Sequence, residues 1–236
     1  MVSAPILSAD TVPRPLRIYL TLLVALILIN VVPLQSDLDS LSTLDYFLLA
    51  TKEVMVGLLL GVVPRVLFAA IDFAATVIGF QMGLSISNVV DPQSDVQISI
   101  IASFEGVVAT LIFILLDGHH IFFEALSFSY QAVPIGGFQF TDNKIGFLVR
   151  ITADLFIIGL KLGAPIIIAL LIANIIMGFM ARSIPQMNIF VVGFPFTIGL
   201  GLLMMLIGMP QITQGITKIF QSFGKDVIEL IQLMPQ

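Results

Sequence analysis

The chain has 236 residues, 58% hydrophobic and 11% charged, with a mean hydropathy of +1.10, which predicts a membrane protein because soluble globular domains carry about 25% charged residues. The net charge of −5 argues against a nucleic-acid partner, since no basic surface is available to displace the counterions of a phosphate backbone. The sequence contains no Cys, which excludes disulfides, thiolate metal sites and Cys nucleophiles.

The first half of the chain predicts apolar helices separated by polar or Pro-containing connectors. The helix over 18–32 is short for a bilayer crossing, which needs about 20 residues. A long helix over 46–84 contains Pro64, which we expect to kink it or divide it in two. A third helix over 98–116 is broken at Asp117-Gly118, and helical sequence then continues over 119–130.

The second half predicts a kinked helical hairpin followed by an amphipathic tail. Its two apolar helices cover 145–180 and 189–209, with Pro165 and Pro195 as expected kinks. The tail over 212–233 is expected to lie at an interface or against a partner. Its apolar residues recur at helical spacing at Ile216, Ile219, Phe220, Phe223, Val227, Leu230 and Ile231.

A polar interruption separates two apolar segments near the middle of the chain, where residues 79–94 read G-F-Q-M-G-L-S-I-S-N-V-V-D-P-Q-S. Pro92 prevents a regular helix from continuing, and Ser, Asn and Asp side chains can bond to the backbone groups that are left unpaired. Irregular backbone at membrane depth is tolerated only where it packs in protein or lines an aqueous path. The pattern fits a loop that closes a pore, and it also fits an ordinary loop at the membrane surface.

Several ionisable residues lie within apolar helices. Arg150, Asp154 and Lys161 fall on one face of a predicted helix, because spacings of four and eleven return almost to the same angle. Such a stripe can serve as an ion or proton relay in a transporter, or as a structural charge network between helices or subunits. The isolated Glu105 is a functional candidate, with an interhelical hydrogen bond as its structural explanation.

His119, His120 and Glu124 do not match a metalloprotease motif, which needs H-E-x-x-H. Adjacent His residues are expected to point to different sides of a helix, and a third His is absent. No phosphate-binding loop or nucleophile elbow is present either. We therefore expect no metal, no cofactor and no catalytic residues, and a protein that is not an enzyme.

Four stretches, in order, closely resemble the FliR family of flagellar export-gate proteins, which are relatives of the SctT proteins of type III secretion systems. The most specific is G-F-M-A-R-S-I-P-Q-M-N-I-F-V-V-G-F-P-F at 178–196. The others are A-P-I-L with V-P near the start, G-F-Q-M-G-L leading to D-P, and D-G-H before S-F and P-I-G. Only Met1-Val2-Ser3 precede the first match, where family members usually carry another apolar helix.

The resemblance implies an all-α membrane protein made of kinked helical hairpins. A FliP-like part at 1–145 would precede a FliQ-like hairpin and amphipathic tail at 146–236. It implies co-assembly with FliP-like and FliQ-like gate subunits, and with a FlhB-like switch protein, in the bacterial inner membrane within the flagellar basal body. The unfolded export substrates and membrane lipid would be its other contacts. The hairpin signature falls on Arg182, Pro185 and Gln186.

The family's plug in the closed pore maps onto Ser85, Ile86, Ser87, Asn88, Val89, Val90, Asp91 and Pro92. We therefore expect a subunit of the flagellar type III protein-export gate, which forms and plugs the channel for unfolded substrates during flagellum assembly. The alternative function is a secondary transporter or ion channel that uses the intramembrane charges. It predicts solute flux through this protein alone, whereas an export-gate subunit gives no flux without its partners.

Overall fold

The computed structural model describes residues 13–29, 42–84, 99–139, 141–184, 186 and 188–234. Within these ranges the chain forms helices and no strand, which confirms the predicted all-α fold. The helices, in chain order, are α1 (Arg14–Ile29), α2 (Thr43–Gln81), α3 (Ile100–Leu115), α4 (Gly118–Ala132), α5 (Asp142–Ser183) and α6 (Ile189–Leu233).

Prolines inside the long helices do not end them. Helix α2 continues across Pro64 and is not divided there, and Val63 and Leu67 beside it are only 2% and 5% exposed. An internal Pro removes one backbone hydrogen bond, yet the helix is continuous on both sides of it. Helix α6 likewise contains both Pro195 and Pro210, so the expectation of a separate tail helix after residue 209 is wrong.

The predicted break at Asp117-Gly118 is confirmed. Asp117 has a left-handed backbone conformation, with φ 54° and ψ 29°, and separates α3 from α4. Such a conformation is uncommon for a residue with a side chain, although Asp tolerates it better than most. A Cβ atom on Gly118 would overlap the Phe113 ring, so the chain turns closely against the end of α3.

The described residues group by contact into two compact units. The first contains the described parts of Met1–Leu67, Phe113–Ala153 and Ile219–Gln236, and the second contains those of Phe68–Ile112 and Asp154–Lys218. The division at residue 145 into FliP-like and FliQ-like parts stays a prediction.

The core of the first unit is built around the end of the chain. The Phe113 ring meets the rings of Phe220 and Phe223 with centroids 5.1 and 5.9 Å apart, distances at which aromatic pairs stabilise a core. All seven apolar tail positions predicted from the helical spacing are buried. From Ile219 onward the tail belongs to this unit and packs on its own chain, and α4 approaches it where Ile121 faces Gly224.

In the second unit α5 and α6 form the predicted helical hairpin. Three glycines of α6 each face a side chain of α5, and the α5 residue number falls as the α6 number rises, as it must in an antiparallel pair. The facing residues are Gly193 with Met177, Gly208 with Ile166, and Gly215 with Leu162. Small residues at such positions let helix backbones approach closely.

Three described helices are long and apolar enough to cross a membrane, namely α2, α5 and α6. A fourth span results if the bent pair of α3 and α4 is counted as one. The fold thus agrees with the membrane protein that the composition predicts.

Candidate functional site

The predicted pore-closing residues Ser85 to Pro92 lie outside the described residues, but both flanks of this segment are described. Helix α2 ends at Gln81 and is followed by a turn over 82–84, and the chain is described again from Ser99, one residue before α3. Both flanks belong to the second unit. The site can therefore be built from the residues that hold these two ends.

Thr197 of α6 fixes the first flank. Its hydroxyl group lies 3.0 Å from the carbonyl oxygen of Met82, to which it can donate a hydrogen bond across 115 residues of sequence. The carbonyl oxygens of Gly193 and Phe194 are alternative acceptors at 3.1 and 3.2 Å. Thr197 is only 3% exposed. A buried hydroxyl group needs a partner, and the Met82 carbonyl is the one of these three acceptors that lies outside α6.

Met82 itself is packed into α6. Its side chain is fully buried, and a Cβ atom on Gly201 would lie 2.6 Å from its Cγ and 2.8 Å from its Sδ. Any larger residue at 201 would force the Met82 side chain to shift. The end of α2 is thus held on α6 by one backbone acceptor and one buried side chain.

The second flank lies against the first. A Cβ atom on Gly79 would overlap the hydroxyl group of Ser99, so the two ends of the undescribed segment lie side by side. Gly83 has φ +86°, a conformation that glycine adopts without strain, and its Cα faces the Phe194 ring. We call Gly79, Met82, Gly83, Ser99, Thr197 and Gly201 the loop anchor. It holds the two flanks through close packing contacts and one hydrogen bond.

Thr197 and Gly201 were not predicted from the sequence as functional residues. A hydroxyl residue two positions after Pro195, in an otherwise apolar helix, was the available signal. Its partner could not be identified because it lies 115 residues away.

Arg150, the first residue of the predicted stripe of charges, pairs with another helix. Arg150 donates to the Glu229 carboxylate at 2.5 Å, so its ion pair is made with α6 and not with Asp154. Both side chains are about half exposed, at 54% and 46%, and an exposed pair of this kind contributes about 0.2–1 kcal/mol. For Arg150 this interhelical pair fits the structural alternative, a charge network between helices.

Asp154 and Lys161 are exposed on α5, and neither has an ion-pair partner among the described residues. They stand beside exposed apolar residues such as Phe156, Ile157 and Leu160. Ionised groups facing lipid hydrocarbon are costly. This face of α5 therefore needs a polar or charged cover.

Glu105 is buried in α3, with 3% of its surface exposed. Neither carboxylate oxygen has a hydrogen-bond partner among the described residues, so the expected interhelical hydrogen bond is not found there. A buried carboxyl group without a partner is rare in proteins. Glu105 remains a functional candidate.

The hairpin signature lies at the connection between α5 and α6. Arg182 is in the last turn of α5, where a positive charge is favourable to the helix dipole, and its side chain is exposed. Gln186 is exposed in the following turn, and Pro185 lies outside the described residues. In this chain alone the described part of the signature faces outward.

A contact that the sequence did not predict holds the loop after α4. Lys52 donates to the carbonyl oxygen of Gly136 at 2.9 Å, and the Gly136 N–H group donates to the Glu53 carboxylate at 3.0 Å. The adjacent, oppositely charged side chains of Lys52 and Glu53 thus bind the carbonyl and N–H groups of the same residue. Gly136 has φ +76°, which favours glycine at this turn.

The two His rings do not point apart as expected. The centroids of His119 and His120 are 4.2 Å apart, and the Asp117 carboxylate lies 3.4 Å from Nδ1 of His120. Helical side chains lean toward the N-terminus, and no preceding turn obstructs them at the start of α4. Both rings can therefore lean past the helix end toward Asp117. This removes the geometric argument against a metal site.

Comparison with known proteins agrees with the resemblance seen in the sequence. The family model described as "Bacterial export proteins, family 1" matches residues 1–223. The chain is 31% identical to "Flagellar biosynthetic protein FliR" of Bacillus subtilis (strain 168), over 99% of this chain and 90% of that protein. It is 31% identical to the protein of the same name from Escherichia coli (strain K12), over 99% and 88%.

A third relative with this name, from Aquifex aeolicus (strain VF5), is 29% identical over 94% of this chain and 85% of its own length. The matches are to export and flagellar biosynthetic proteins, so the chain is not an enzyme. Because the family model and the relatives both extend over nearly the full length, this chain belongs to the bacterial export proteins of family 1 and, within them, to the FliR family.

Proposed function

We propose that this chain is a subunit of the flagellar protein-export gate, in which it helps to form the channel for unfolded substrates and plugs it when no substrate is present. Membership in an export family and relatives named for flagellar biosynthesis support a component of the flagellar export apparatus. The candidate spans α2, α5 and α6 support a membrane location. Placement in the inner membrane, within the basal body, is part of the proposal.

The unburied hairpin is the observation that carries the multi-subunit part of the proposal. Only 22% of the most apolar window of α5, and 22% of that of α6, is buried inside the chain, against 50% for α2. Lipid can cover apolar residues but covers charges poorly. Asp154 and Lys161 are exposed on α5, so a protein cover accounts for this face better than lipid alone. FliP-like and FliQ-like subunits would supply it, with a FlhB-like switch protein nearby.

The closing mechanism is steric. Ile86, Val89 and Val90, with their small polar neighbours, would lie across the channel until a substrate displaces them. Apolar constrictions also exclude ions by dewetting, so one short segment can block both polypeptide and ions. The loop anchor supports this mechanism because it holds both ends of the segment on the second unit. Substrate could then move the segment without detaching it.

Co-purification tests the assembly. The affinity-tagged chain, expressed with its flagellar neighbours and extracted in detergent, is expected to retain FliP-like and FliQ-like proteins. Replacing Asp154 with Leu should release them, because the variant removes a charge that a partner neutralises. If Asp154 instead faced lipid, the same change would remove the free-energy cost of placing a charge in hydrocarbon. The complex would then stay intact or become more stable.

Thr152→Leu is the matched control, since Thr152 is also exposed on α5 but carries no charge. It should leave co-purification unchanged.

Reconstitution of the chain alone in liposomes tests the alternative function. Solute flux without partners, altered by Asp154→Asn, would indicate a transporter and would contradict the gate.

A further inference from the structure

Three potential metal ligands converge at the break between α3 and α4. The ligand atoms of Asp117, His119 and His120 all lie within 4.8 Å of one another. Asp117 and the His120 side chain are exposed, and His119 is partly buried. None of the three residues has a role in the proposed gate mechanism. The cluster lies entirely within the first unit.

The local backbone explains why the three groups meet. The left-handed conformation of Asp117 turns the chain sharply immediately before α4, and the Asp117 side chain makes no capping hydrogen bond to that helix. Its backbone carbonyl instead accepts from the N–H groups of His120 and Ile121, at 2.9 and 3.2 Å. The carboxylate is therefore not used to cap the helix and lies beside the His120 ring.

One ring nitrogen of His119, Nδ1, is buried and lacks a hydrogen-bond partner among the described residues. Ligating His rings use one nitrogen for the metal and normally pair the other with a hydrogen-bond partner. The His119 ring therefore has to move slightly, both to find such a partner without a metal and to bind one. The two ring centroids are 4.2 Å apart, so both imidazoles can reach one ion.

We propose that Asp117, His119 and His120 form a binding site for a divalent transition metal of the zinc class. Two imidazole nitrogens and one carboxylate oxygen are ligands of this class, and the absence of Cys argues against metals that need thiolates. Tetrahedral ligand bonds of about 2.0–2.2 Å place neighbouring ligand atoms roughly 3.3–3.6 Å apart. The Asp117 carboxylate and Nδ1 of His120 already lie 3.4 Å apart, so the remaining adjustment falls mainly on the His119 ring. Water completes the coordination.

The site offers one negatively charged ligand, the Asp117 carboxylate, to a divalent ion. The N-terminal end of α4 opposes a cation, and the Asp117 carboxylate offsets that repulsion. Among the groups packed nearby, Glu124 lies on the following turn of the same helix but is outside the converging set. It therefore provides a matched acidic control for Asp117.

Metal binding is tested on the full chain, purified in detergent without a His tag and stripped with a chelator. Titration with Zn²⁺ in a calorimeter is expected to show one saturable equivalent. Asp117→Asn, His119→Ala and His120→Ala should each weaken binding by at least about tenfold, because loss of an outer partner alone costs 10–100-fold. Asn tolerates the left-handed backbone at 117, so that variant preserves the turn.

Co²⁺ reports on the coordination directly. Bound to this site it should show visible absorption bands distinct from those of the hydrated ion, and each of the three variants should abolish them. Glu124→Gln should change neither the bands nor the Zn²⁺ affinity. Unsaturable Zn²⁺ uptake, an unshifted Co²⁺ spectrum, or equal losses in Asp117→Asn and Glu124→Gln would overturn the site. Circular dichroism of each variant separates lost ligation from lost folding.

Discussion

Exchange of Ile86, Val89 and Val90 for Asn is expected to make the assembled, substrate-free gate leak ions. Apolar side chains hold a narrow passage dry, and polar side chains let water and ions enter. Deletion of residues 85–94 should have a larger effect, because it removes the barrier altogether. The measurement is ion flux through the reconstituted complex, which should rise from background to a sustained leak.

Ser85→Ala and Ser87→Ala are the controls within the same segment, since they make it no more polar. They should leave the closed gate tight. A length-matched Gly/Ser replacement of residues 85–94 separates the chemistry of the segment from its length, and it should leak like the Asn variant. Unchanged ion permeability in the deletion would rule out a plug at this position.

Gly201→Leu is expected to loosen the loop anchor by displacing Met82. The new side chain would occupy space that the fully buried Met82 side chain fills. Overpacking of this kind costs about 1–3 kcal/mol, and moving Met82 also disturbs the hydrogen bond from Thr197. Detergent unfolding of the purified chain should show the loss in stability. Swimming of cells that carry the variant should decline with it.

Gly199→Leu controls for the substitution itself, because a Cβ atom at that position meets nothing within 4 Å. It lies two residues earlier on the same helix and should leave the isolated chain close to wild-type stability. Combining Gly201→Leu with Met82→Ala removes the side chain that the new Leu displaces. This double variant should recover part of the stability that Gly201→Leu loses. Equal stabilities of the two single Leu variants would show that Met82 does not pack against Gly201 as described.

Helical periodicity and breaks predicted most of the fold, because they are local properties of the sequence. The spacing of Ile216 through Ile231 identified seven residues that are all buried. The D-G dipeptide at 117–118 marked the break between α3 and α4. The antiparallel hairpin followed from two long apolar runs and a short polar connection.

Contacts distant in sequence could not be predicted. The partner of Arg150 is Glu229, which is 79 residues away, and the partner of Thr197 is Met82, 115 residues away. Of the two effects expected from Pro64, division of the helix does not occur, since α2 is continuous across it. The convergence of His119 and His120 depends on the turn at Asp117, which spacing alone does not describe.

The most direct test of the gate mechanism is a density map of the assembled, substrate-free particle. We expect residues 85–94 to lie across the central passage, with the first flank held where Met82 meets Thr197 and the second where Ser99 meets Gly79. A map in which this segment lies on an outer surface, away from any passage, would contradict the mechanism.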